Sequence, residues 1–191
     1  MREDALRPAP DASHDAQLAR PAMDPSEAAL AARMIGRPLR GRSAAAVRCA
    51  WGLPAVLRVS PRLDDGTPFP TVFWLSCPLA NRAVGRLEAS GVMRRLSDML
   101  DDDPELARTY RDAHERYVAM RNELGPAVPG DPSAGGMPGR VKCLHALYAH
   151  QLATADNPVG AWVGRQVEPL ACPAPCVRDE DGGATGADVA G

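Results

Sequence analysis

The run "TVFWLSCPLANRAVGRLEASG", residues 71–91, changes its apolar period halfway along, and that change limits the folds open to the chain. Val72, Phe73, Trp74 and Leu75 are consecutive apolar β-formers, as in a strand buried within a sheet. Pro78 then suits the first position of a helix, where its fixed φ is already helical and its missing N–H is not needed, so Cys77 becomes the expected N-cap. A strand that feeds a helix through so short a corner calls for a sheet with helices packed on it. The positive end of the helix dipole would also lower the pKa of the Cys77 thiol and favour thiolate.

The flanking segments fill in that architecture. "AAVRCA" and "PAVLRVSPRL" are β-capable and separated by the turn signal "WGLP", which predicts a hairpin. A helix is expected from Ser26 to a stop at Gly36. Two more lie within residues 92–124, the second opened by Asp103 and Pro104 and closed by Gly125 and Pro126. On that second helix Leu106, Tyr110, Ala113, Tyr117, Met120 and Leu124 recur at helical spacing and form one stripe, while Asp112 and Arg116 are spaced for an i, i+4 pair. His114 sits beside the stripe and reads as a structural histidine. A short final helix is expected to start near Asn157 and Pro158. The expected fold is therefore α+β: a small sheet of about three strands covered by several helices, in a single domain over residues 26–176. Residues 1–25 lack a period that would bury a face and read as a disordered tail, with His14 a solvated residue in it; residues 177–191 read as a disordered acidic tail.

Charge and composition narrow the function classes. A net charge of −2 and a pI near 6.1 give no global reason to bind nucleic acid or an anionic membrane. No apolar run approaches the ~20 residues of a membrane span, and the N-terminal segment lacks the apolar middle of a secretory signal, so a cytoplasmic location is expected. Five cysteines, an odd number, then read as reduced thiols or metal ligands ahead of disulfides. No Gly-rich nucleotide fingerprint, His-Glu-x-x-His helix or serine nucleophile elbow is present.

The helix expected over "RVKCLHALYAHQLA" carries most of the site chemistry. At 100° per residue, Val141, Leu144, His145, Tyr148 and Leu152 fall on one side and Cys143, Leu147 and His150 on the other, so burial on two faces is expected. In a regular helix Cys143 and His145 point about 160° apart and cannot easily share an ion. Before it, the Gly/Pro-rich residues 125–139 form a connector or lid, and the end of that loop offers backbone amides with Arg140 and Lys142 to an anion. A plain connector followed by a polar first turn explains the same residues.

A shared metal site would need sulfurs from separate segments: Cys49, Cys77, Cys143 and Cys172 or Cys176, holding zinc or an iron-sulfur cluster, with His145 or His150 as supporting donor. Only "CPAPC" approaches the spacing of a metal knuckle, and buried free cysteine is a common core residue. Three functions fit these residues. They are a protein with a cysteine-ligated metal, a noncatalytic interaction module with a protein partner, and a thiol enzyme with Cys77 as nucleophile and a histidine as base.

The stretches "RCAWGLPAV", "DGTPFPTVFWLSCP", "LEASGVM", "AHERY" and "VKCLHALYAH", followed by "NPVG" and a terminal cysteine pair, resemble the chiefly actinobacterial family numbered 501 among the domains of unknown function. The resemblance covers roughly residues 40–177. It implies that Cys49, Cys77, Cys143 and His145 stand within family motifs, and it brings no reaction with it.

Overall fold

A computed structural model describes residues 11–178 apart from 127, 131 and 133, together with Leu6 and Pro8. Among these residues the order is α1 (His14–Ala19), α2 (Pro25–Ile35), β1 (Ser43–Arg48), β2 (Pro54–Val59), β3 (Phe73–Leu75), α3 (Pro78–Ala89), α4 (Val92–Asp102), α5 (Pro104–Glu123), α6 (Leu144–Thr154) and α7 (Pro158–Val167). The fold is α+β, as the change of period required. β1 and β2 form the expected antiparallel hairpin around Gly52, whose φ of +74° is the left-handed conformation that a tight turn needs. β3 pairs antiparallel with β2, giving the order β1-β2-β3.

The two-residue period of the strands sorts the sheet into two faces. Val56, Phe73 and Leu75 join the main core, with Tyr110 and Tyr117 of α5 and Leu144, Leu147 and Leu152 of α6. Leu57, Val59 and Trp74 turn the other way onto Ala31 of α2. The α5 stripe is buried as expected, and the Tyr117 hydroxyl is tied into the sheet. It accepts the Val72 N–H at 2.6 Å and donates to the Pro70 carbonyl at 2.9 Å. α7 packs on α6 so closely that a Cβ on Gly160 would stand 2.2 Å from the Leu147 carbonyl oxygen.

Four expectations are corrected. The N-terminal segment is not wholly disordered, because residues 14–19 form α1, in which Gln17 is fully buried and donates to the Ala153 carbonyl at the end of α6. The expected Asp112–Arg116 pair is replaced: Arg108 faces Asp112, while Arg116 makes a bidentate pair with Asp156, both contacts 2.7 Å. The fork geometry of arginine and carboxylate is worth more than a single exposed i, i+4 contact. α2 is capped by Asp24, whose carboxylate accepts the Glu27 N–H, so it starts before Ser26. The helix expected over residues 140–153 begins only at Leu144, and that shift changes the chemistry of Cys143. The tail beyond residue 178 lies outside the described residues.

Candidate functional site

Cys143 is the N-cap of α6, with φ −145° and ψ 107°. An extended residue does not obey the helical wheel, so the 160° separation from His145 expected of a regular helix is lost and the two side chains turn toward each other. Glu88, near the C-terminal end of α3, meets them. The donor atoms of Glu88, Cys143 and His145 all lie within 4.8 Å of one another, and all three residues are partly exposed.

Hydrogen bonds fix which atoms face inward. His145 Nε2 lies 3.2 Å from the Asn81 carbonyl oxygen, which can only accept, so Nε2 carries a proton. His145 Nδ1 then stands 3.2 Å from Glu88 Oε1, and the same oxygen accepts the Leu144 N–H at 2.7 Å. The imidazole Nδ1, the carboxylate and the sulfur thus lie within 4.8 Å of one another, close enough to share one cation. In the protonated form that cation is the imidazolium: His145 is raised to about 9, first by its hydrogen bond to Cys143 and also by Glu88, against the opposing effect of burial. Burial is the largest influence on the Cys143 thiol and raises its pKa, but the His145 contact and the Ala146 amide outweigh it and the net direction is down.

The remaining cysteines assemble elsewhere. Cys49, Cys77, Cys172 and Cys176 line one small apolar pocket with Trp51 and Leu53, and Cys143 does not join them. Trp51 closes the arrangement: its N–H faces Cys49 Sγ at 3.4 Å and its indole N–H donates to the Cys172 carbonyl at 3.0 Å. Cys77 is the N-cap of α3 as expected, yet its thiol is not activated. Burial pushes its pKa up and overrides the lowering by the Ala80 and Leu79 amides. Among the described residues, two groups bring three ligand-bearing side chains within 4.8 Å, and the four pocket cysteines form neither of them.

The second such group is His14, His150 and Asp156. His14, expected in solvent, stacks on His150 with ring centroids 6.5 Å apart. The hydrogen bonds around His150 do not favour a metal there. Asn157 Oδ1 accepts the Gly160 N–H at 2.7 Å, which turns Asn157 Nδ2 toward His150 Nδ1 at 3.1 Å. Nδ1 is therefore the acceptor and Nε2 bears the hydrogen. Ligation through Nε2 would move that hydrogen to Nδ1, against the donor of Asn157. His150 is fully buried between Phe73 and Tyr117, and burial holds its pKa down to about 3.

Arg140 and Lys142 are exposed, but the amides expected to join them are used within the loop. The N–H groups of Lys142 and Cys143 both donate to the Gly135 carbonyl, and that of Arg140 to Gly136. Glu88 and Asp156 were not singled out in the sequence. The signal available for Glu88 was its place in "LEASGVM", one of the stretches that carry the family resemblance.

Residues 45–165 match the family described as "Protein of unknown function (DUF501)", and the chain belongs to that family. No curated protein matches the chain, and no solved structure does. Among the described residues no helix is long and apolar enough to cross a membrane.

Proposed function

We propose that this protein binds a transition-metal ion, zinc by its donor set, through Glu88, Cys143 and His145. One observation carries the reading: a carboxylate, a sulfur and an imidazole nitrogen face one point within 4.8 Å. The carbonyl of Asn81 orients the ring as the outer partner of a metal-bound histidine does, and the Leu144 N–H steadies the carboxylate. A set of one S, one N and one O suits a borderline ion such as zinc. Three protein ligands leave the fourth tetrahedral position open, the pattern of zinc sites that polarise water or substrate, and the partial exposure of all three gives access.

A second reading, a four-sulfur zinc or iron-sulfur centre, is favoured by the meeting of Cys49, Cys77, Cys172 and Cys176 at one pocket. Both readings keep the expected cytoplasmic location, which suits five free thiols.

Metal analysis of the purified full chain separates them. The three-ligand reading expects about one zinc per chain, lost in Cys143→Ala and kept in Cys172→Ser with Cys176→Ser. The four-sulfur reading expects the reverse, with several irons if the centre is a cluster. Folded wild-type protein free of metal, checked by circular dichroism, would sink both.

A further inference from the structure

The strand alternation leaves a cation on a sheet face that is otherwise apolar. Arg58 lies two residues beyond Val56 in β2 and so shares the side of the main core. Its guanidinium donates to the carbonyls of Leu18 at 3.2 Å and Arg20 at 2.8 Å, at the end of α1. There an open pocket of about 400 Å³ forms between α1, the sheet and the end of α5. Arg20, Arg42, Arg58 and Ser60 contribute to its polar wall with Glu123, and Leu18 and Leu124 contribute apolar surface.

The cations are in excess even with the neighbouring Asp11 included: three guanidinium groups, of Arg20, Arg42 and Arg58, stand against the carboxylates of Glu123 and Asp11. Arg20 gives its Nε hydrogen to Gln17 Oε1 at 3.2 Å and one amino group to Asp11 at 2.6 Å, leaving its other amino group for a ligand, while Arg42 makes no ion pair among the described residues. Burial presses the Arg58 pKa down, and the charges of Arg42 and Arg20 add to it. The Ser60 hydroxyl oxygen accepts the Arg62 N–H at 3.3 Å, so its own hydrogen is available to donate. Cations gathered at a partly buried wall, in a cavity of the size that holds small ligands, are complementary to an oxyanion carried on a small molecule.

We propose that this pocket binds a small phosphorylated molecule. Arg42 and Arg20 contact the phosphate oxygens, Arg58 supplies field from behind, and Leu18 and Leu124 flank the organic part. The assignment is independent of the metal reading, since none of these residues belongs to either sulfur site.

Calorimetric titration of the full-length chain at constant ionic strength tests it, using adenosine monophosphate, glucose 6-phosphate and inorganic phosphate as probes. At least one ester should bind more tightly than inorganic phosphate, and Arg42→Gln should weaken that binding roughly tenfold. Arg42 is exposed, so its replacement should leave the fold intact. Arg20→Gln is the second variant and should weaken the same probe, with circular dichroism confirming that both fold. Absence of binding by all three probes at millimolar concentration overturns the proposal. So does affinity unchanged in both variants, or inorganic phosphate bound at least as tightly as both esters.

Discussion

His145 Nδ1 and Glu88 Oε1 stand 3.2 Å apart because the other ring nitrogen is committed to the Asn81 carbonyl. The pair comes from α6 and α3, more than fifty residues apart in the chain, and Cys143 completes it from the cap of α6. Replacing Glu88 by Gln keeps the shape and removes the anion. Zinc affinity, measured by competition with a chromogenic chelator, should fall at least about 10-fold, since loss of a direct ligand costs no less than loss of a ligand's outer partner. Protons compete for the same donors, so wild-type affinity should also fall as pH is lowered from about 7.5 to 5.5. Affinity unchanged in Glu88→Gln would remove Glu88 from the ligand set.

Thiol reactivity should rank Cys143 above Cys77 once metal is stripped with a chelator. Burial raises the Cys77 thiol, whereas His145 and the Ala146 amide draw Cys143 below its ordinary value. Iodoacetamide labelling at neutral pH, mapped by mass spectrometry, should mark Cys143 before Cys77. Faster labelling of Cys77 would restore the helix-dipole argument.

His150 should make the fold acid-sensitive. In the folded chain its pKa is about 3, against 6.5 for the ordinary group. Between those values the unfolded chain binds a proton that the native chain does not, so stability falls as pH drops below 6.5 and the effect levels off near 3. The slope from this group reaches about 1.4 kcal/mol per pH unit. Urea unfolding of His150→Phe should show a flatter pH dependence than wild type between pH 6.5 and about 4.5, even if the variant is less stable throughout. Equal slopes would mean that His150 is not the responsible group.

Gly160 should not tolerate a methyl group. A Cβ there would meet the Leu147 carbonyl at 2.2 Å and Gln151 Cβ at 2.6 Å, so α7 must move off α6. Gly160→Ala should cost at least about 2 kcal/mol in chemical denaturation. A cost near zero would show that the two helices are less tightly seated.

Tyr117→Phe should cost about 1–3 kcal/mol, because it orphans the buried Val72 N–H and the Pro70 carbonyl while leaving the ring in place. Denaturation of the single variant measures it, and a neutral result would mean that water takes over both bonds.

Local patterns made much of this architecture legible. Apolar β-formers marked β3. Pro78, Pro104 and Pro158 marked helix starts, and the stripe from Leu106 to Leu124 marked the buried side of α5. Such signals are short-range and survive in a single sequence. The candidate site was legible only in part. Cys143 and His145 were recognised, but a helical wheel separated them, since nothing local distinguished an N-cap at residue 143 from a helix begun at Arg140.

The sequence by itself determined the three strands and most of the helices, the Cys77 corner and the mixed α and β class, because each follows from the chemistry of residues adjacent in the chain; α1 was not among them. Only the tertiary structure decided that Glu88 meets His145, that Cys77 is silenced by burial, that His14 leaves solvent for His150, and that Cys143 parts from the other four cysteines. Those outcomes depend on which segments are neighbours in space, and on the desolvation and pairing that follow, which no local spacing encodes.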